Sequence, residues 1–329
     1  MIPGMRRRAL LKAGAGLLLA PSVLRAQDPA ATWPSKTVRL IIPFTPGGST
    51  DFQGRLLTEW LSRHFGQQFF IDYKPGAGSN LGVAEVARSA PDGYTLGWIT
   101  VASHAINPTL YAKMPFDHIR DFAPVSMTGV FPNLLVVNNQ LPVKTVADLV
   151  ALAKKEPGKL TFASSGQGTS LHLSGELFKM MTGIQMQHVP YRGAGPAYPD
   201  LMTGKTQVFF DNLPGSVELV KSGQLKALGV TQAKRSFVFP DLPSIGESVP
   251  GYDVSLYYGV SGPKGIPPAI VETLSNALQI AQRDPKMLRR IAEFGGTPLS
   301  LPPAEFGKLV ADETEKWAKV VNTVGLSID

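Results

Sequence analysis

The sequence predicts an α/β fold in which two βαβ lobes, joined by two crossing strands, enclose a ligand cleft. Three observations carry this. Apolar runs of strand length alternate with amphipathic runs of helix length. The alternation occurs twice, with glycine- and hydroxyl-rich loops at matching places. Two extended stretches, 122–137 and 252–262, are rich in β-branched and aromatic residues and longer than most strands.

The first copy reads strand 38–44, loop Gly47-Gly48-Ser49-Thr50, helix 52–65, Gly66, strand 68–71, then Tyr73-Lys74-Pro75-Gly76-Ala77-Gly78. The second reads strand 160–163, loop Ser164-Ser165-Gly166-Gln167-Gly168-Thr169, helix 171–181, Gly183, strand 185–189, then Tyr191-Arg192-Gly193-Ala194-Gly195. Helical period supports both helices: Leu56, Leu57, Trp60 and Leu61 share one face, as do Leu173, Leu177, Phe178 and Met181. Each copy continues into a further helix (81–88; 199–202) and strand (94–99; 207–210). The long extended stretches cross between lobes, so helices 269–282 and 303–321 return to the first. One lobe is therefore expected from 33–131 with 254–329 and the other from 132–253. Two such connections permit clamshell closure.

Residues 1–26 read as an export signal rather than as part of the fold. Arg6-Arg7-Arg8 opens a basic region, a short Gly/Ala/Leu stretch follows, and Ala26 offers a small residue for cleavage. Arg7-Arg8-Ala9-Leu10-Leu11-Lys12 resembles a twin-arginine pattern, and an ordinary secretory signal with spare arginines is the other reading. Without this segment, the whole-chain tally of 32 basic against 25 acidic residues falls to 27 against 25, so the basic balance belongs mostly to the leader. No basic run remains to serve a nucleic-acid face. No apolar stretch approaches the roughly 20 residues that span a bilayer, so the expected mature chain is not membrane-embedded. With no cysteine, disulfides, thiolate metal sites and a lipid-anchoring cysteine are excluded.

Loops at the carboxyl ends of parallel strands are where ligands bind in this architecture. The stretch Phe44-Thr45-Pro46-Gly47-Gly48-Ser49-Thr50-Asp51 resembles an anion cradle, because glycines let backbone N–H groups approach a ligand at a helix N-terminus. It is not a nucleotide loop: no lysine follows the glycines, and Asp51 would repel a highly charged phosphate. Gly76-Ala77-Gly78-Ser79-Asn80-Leu81-Gly82 misses the dinucleotide spacing. A nucleophilic serine finds no supporting context either, since Gly47-Gly48-Ser49-Thr50-Asp51 lacks the closing glycine of G-x-S-x-G. The five histidines show no metal-binding spacing, so neither metal nor cofactor is expected.

Taken together, Pro43-Phe44-Thr45-Pro46-Gly47-Gly48 with Asp51, Pro75-Gly76-Ala77-Gly78, Ala90-Pro91-Asp92-Gly93-Tyr94, Gly166-Gln167-Gly168-Thr169, His172-Leu173, Val189-Pro190-Tyr191-Arg192-Gly193 and Phe210-Asp211-Asn212 resemble the Bug family of periplasmic solute receptors. These motifs run in order through the whole mature chain. The resemblance implies a two-lobed periplasmic binding protein fold, type II-like, a periplasmic location, and a small organic carboxylate as ligand, a mono- or dicarboxylate, aliphatic or aromatic. It also implies membrane permease subunits of a tripartite tricarboxylate transporter as partners. A monomer without catalysis is expected; a sensory receptor using the same cleft is the alternative. Leu171 departs from the polar residue that many relatives show before this histidine.

Gly47, Gly48, Ser49 and Thr50 are expected to present donors to a carboxylate from one lobe, and Ser164, Ser165, Gly166, Gly168 and Thr169 from the other. N-capping by the hydroxyls is the plainer role. Asp51 is read as satisfying its own loop's amides. Arg192 suits either a second carboxylate or a solvated rim. Asn212 suits a ligand oxygen. Phe44, Tyr191 and Tyr258 suit the walls, with core packing as the plainer reading. Gly76, Ala77, Gly78 and Ser103 complete the expected ligand-facing set.

Overall fold

The computed structural model describes residues 33–236, 239–293 and 295–329; the expected export segment lies outside them. The chain runs β1 (Val38–Ile42), α1 (Ser49–Phe65), β2 (Phe69–Tyr73), α2 (Asn80–Ala87), β3 (Thr95–Thr100), α3 (Asn107–Leu110) and β4 (Phe122–Asn138). It continues through α4 (Val146–Lys155), β5 (Thr161–Ser164), α5 (Ser170–Thr182), β6 (Gln187–Pro190), α6 (Ala197–Thr203), β7 (Val208–Asn212), α7 (Leu213–Lys221) and β8 (Leu225–Val230). The last elements are β9 (Ser255–Pro263), α8 (Pro268–Ala281), α9 (Pro285–Glu293) and α10 (Pro303–Val324).

Two lobes share one curled sheet of order β2-β1-β3-β9-β4-β7-β5-β6, with β8 also on β4. In the first lobe β2, β1 and β3 are parallel, as the βαβ pattern requires. In the second β6, β5 and β7 are parallel. The middle of the sheet is antiparallel, because β9 pairs with β3 and with the first part of β4, whereas the last part of β4 pairs with β7 and β8. The partner of β4 changes between Pro132, opposite Ser255, and Asn133, opposite Asn212. The returning chain is tied there: Thr231 N donates to Asn133 O at 2.9 Å and Val254 N to Thr231 O at 2.8 Å.

Each lobe buries its own apolar side chains. Leu40, Ile42, Leu57, Leu61, Trp98 and Leu278 pack in the first, and Leu134, Val136, Leu201, Phe209 and Val217 in the second. A third cluster joins Ile99, Ile106 and Leu110 to Phe162, Leu173 and Phe178, with Val310, Trp317 and Val321 of α10 alongside. The final helix thus packs into the cluster formed by Ile99 and Ile106 on one side and Phe162 and Phe178 on the other.

Helix starts depart from the periodicity-based expectation in one informative way. α1 begins at Ser49 rather than 52, with Gly48 as its N-cap residue, and α5 begins at Ser170 behind the N-cap Thr169. Apolar period marks only core-facing positions, and the first turn of α1 opens on the polar residues Ser49, Thr50 and Asp51. α4, α7, β8 and α9 had no sequence-based assignment.

Candidate ligand-binding site

Both cleft-facing helices point their N-termini at one inner chamber. Ser49 and Thr50 line it from α1, with Gly48; Thr169, Ser170 and Leu171 line it from α5, with Ser165. First-turn amides have no intrahelical acceptor, and the helix dipole adds partial positive charge there. Thr100, Val101 and Ala102 at the end of β3, Ala194, Asn212 at the end of β7, and Phe44, Leu256 and Tyr258 complete most of the wall. Among the described residues, no charged side chain lines it. The space is tight, with about 20 Å³ open to the centre of a water molecule, which is room for about one or two waters. An outer chamber, about 510 Å³ by the same measure, shares Phe44 and Ser165 with the inner one and is lined by Gly76, Ala77, Gly78, Gly166, Tyr191 and Arg192 among others.

The lobes are closed onto each other. Thr45 N donates to Arg192 O at 3.3 Å, and Tyr111 OH donates to Gln167 O at 3.3 Å. Deeper in, Asn212 Oδ1 accepts from Ser49 Oγ at 3.0 Å and from Tyr258 OH at 2.7 Å, both from the opposite lobe. Asn212 Nδ2 donates to Asn133 Oδ1 at 2.7 Å, and Asn133 Nδ2 donates to Ser174 Oγ at 2.8 Å. One buried polar chain therefore connects the inner chamber to the strand that crosses between lobes. The glycines sit where backbone meets backbone. A Cβ on Gly195 would collide with the Pro46 carbonyl oxygen, one on Gly193 with Thr45, and one on Gly78 with the Gln167 carbonyl oxygen.

Four expected ligand-facing residues line neither chamber, each for a local reason. Gly47, held at φ +92°, gives its N–H to Asp51 Oδ2 at 2.9 Å, so Asp51 closes its own loop. Ser103 is fully buried, with its Oγ 2.8 Å from His104 Nδ1. Ser164 is fully buried, with its Oγ 2.6 Å from His188 Nε2 and accepting from Gly166 N. Gly168 gives its N–H to His172 Nδ1 at 3.3 Å. Thr169 lines the chamber, yet its hydroxyl is already engaged: it donates to Gly166 O at 2.8 Å and accepts from His172 N at 3.4 Å as the N-cap. Thr100, Val101 and Ala102 were missed because the strand was read as ending at 99. Ser170 and Leu171 were missed as wall residues because the helix was read as starting behind the loop.

Behind the second loop, His188 stacks on His172 at 3.8 Å between ring centroids. Burial, and then His172 beside it, lower the His188 pKa to about 3. His104 is fully buried and likewise lowered to about 3, first by burial and then by His118. Such histidines contribute their full stability above the unfolded value of about 6.5 and lose it as pH falls toward 3. Asp211 acts oppositely, since burial raises its pKa to about 6 despite donation from Ser216 and Tyr198. Between about pH 6 and 4 it offsets part of that loss, to which the lowered pKa of half-buried His118 adds. Urea denaturation of wild type and His188→Gln across this range should show a shallower loss of stability on acidification in the variant. Equal slopes would mean that His188 protonates in the folded protein.

Residues 54–326 match the family model described as the tripartite tricarboxylate transporter family receptor. The chain belongs to this family. The BugT protein of Bordetella pertussis is 34% identical over 315 residues, covering 95% of this chain and 97% of that protein. Among solved structures, the R. palustris protein Rpa4515 with adipate superposes at a TM-score of 0.88, with 38% identity over 90% of this chain and 99% of its own. MatC of Rhodopseudomonas palustris, with bound malate, gives 0.83 and 29% identity over 88% of this chain and 100% of its own. The receptor-family assignment accounts for two closed lobes around a site whose polar groups are amides and hydroxyls.

Proposed function

We propose that this receptor-family chain is a periplasmic solute-binding protein that captures a small organic carboxylate, aliphatic or aromatic, and delivers it to a membrane permease of the tripartite tricarboxylate type. The observation that carries the reading is the convergence of two helix N-termini on one uncharged chamber shut between the lobes. Amide donors and helix dipoles stabilise an anion without a cationic side chain. The adipate and malate held by the Rpa4515 and MatC proteins support the same ligand class.

In this reading the lobes comprise 33–131 with 254–329, and 132–253. They pivot where β4 changes partner and where Thr231 meets Val254. Because the inner chamber is so tight when closed, the lobes part to admit ligand, and closure buries its carboxylate. The protein acts as a monomer and catalyses nothing.

A melting-temperature screen of aliphatic and aromatic acids against sugars, amines and metal ions tests the ligand class. An acid present at 100 times its dissociation constant should add about 2.7 kcal/mol of stability. A screen in which no carboxylate raises the melting point, while a sugar, amine or metal does, would overturn the reading.

A further inference from the structure

The two cleft loops are braced by the same device built from different chemistry. In each cleft-facing helix the third residue turns its side chain back to the glycine that precedes the N-cap residue. Asp51 Oδ2 accepts from Gly47 N at 2.9 Å, ahead of the N-cap Gly48, and His172 Nδ1 accepts from Gly168 N at 3.3 Å, ahead of the N-cap Thr169. A capping-box side chain reaches back from the same position. Because Nδ1 accepts from an amide it carries no proton, so the proton of the neutral ring lies on Nε2, which faces Glu176 Oε1 at 3.7 Å. Glu176 in turn accepts from Lys179 Nζ at 2.8 Å. Beside the ring lie His188 of β6, at 3.8 Å between centroids, and Phe162 of β5, at 6.3 Å. His188 Nε2 is 2.6 Å from Ser164 Oγ, which accepts from Gly166 N at 3.1 Å. The stacked imidazoles therefore grip both ends of the loop 164–168, one at the strand end and the other at the helix start. Neither ring lines the inner or the outer chamber.

We propose that His172 is a positioning residue of the second loop: by holding the Gly168 amide, its Nδ1 fixes the turn into α5 and so sets where Ser165, Thr169 and Ser170 meet a bound carboxylate. The acceptor atom does this, not the bulk of the ring. This inference rests on the reading of the inner chamber as a carboxylate site.

Two substitutions separate the acceptor from the ring. His172→Asn keeps an acceptor oxygen, where Asp51 carries one in α1, and loses the ring; His172→Phe keeps a ring against His188 and loses the acceptor. Calorimetry uses whichever of succinate, adipate, hexanoate and benzoate binds wild type most tightly, and urea denaturation without ligand checks the fold. His172→Asn should bind within about threefold of wild type and His172→Phe about tenfold more weakly, the size of one lost hydrogen bond. Should His172→Phe not fold, His172→Leu supplies the acceptor-free arm. A role in packing alone gives the reverse order, with the ring-bearing variant the better binder. That order, or equal affinity of the two variants, overturns the positioning role while leaving the inner carboxylate site standing. Binding of none of the four acids to wild type removes the carboxylate reading itself, and this inference with it.

Discussion

Gly195→Val weakens binding of the carboxylate returned by the melting screen by about a hundredfold, the equivalent of about 2.7 kcal/mol of lost closure. In the closed protein a Cβ at this position would collide with the Pro46 carbonyl oxygen, and the backbone around Pro46 has little freedom to yield. Overpacking of this kind costs about 1–3 kcal/mol, and branched bulk lies at the upper end. The contact is between lobes, so it penalises the closed, ligand-holding state far more than the fold of either lobe. Calorimetry gives the affinity, and small-angle scattering with ligand should show the variant more open than wild type. Gly307→Ala is the matched control. Its added Cβ meets only Pro124, at 3.5 Å, inside α10, so affinity should not change. Wild-type affinity in a folded Gly195→Val protein would show that ligand capture does not require this approach of the lobes.

Asn212→Ala is expected to cost about 2–5 kcal/mol of stability, since it leaves more than one buried polar group without its partner. Asn133 Oδ1 loses the donor at 2.7 Å, and Tyr258 OH, 3% exposed, loses its acceptor. Ser49 Oγ keeps a weaker alternative in Tyr258 OH at 3.4 Å, so its contribution is smaller. Affinity should fall as well, because Asn212 lines the inner chamber and ties α1 to the crossing strand. Urea denaturation without ligand reads the stability effect. A loss below about 0.5 kcal/mol, the range of an ordinary surface substitution, would mean that water replaces Asn212 freely and that the buried chain is not a structural connection.

The α/β alternation was legible because strand and helix periods are local properties of the chain. Leu56, Leu57, Trp60 and Leu61 mark the buried face of α1 wherever the lobe packs, and three of them are buried: Leu57, Trp60 and Leu61. Other elements left weaker traces. α4, for instance, is a short run of ten residues carrying a Thr145 capping box that was not recognised. The hydroxyls were harder to read. Ser164 and Ser165 look alike in sequence, yet one turns to His188 and the other lines both chambers.

From sequence alone came the two repeated βαβ patterns, the matched glycine-rich loops at strand ends, the family resemblance and the absence of any cysteine. Each depends on residue type and spacing along the chain. Tertiary structure alone decided what the glycines are for and which donors remain to meet a ligand. Gly78, Gly193 and Gly195 are small because the opposite lobe's chain presses against them, whereas the Gly47 and Gly168 amides are consumed inside their own loops. The approach of segments 89 to 149 residues apart leaves no period in the sequence, and a donor's availability depends on acceptors that only folding brings within about 3 Å.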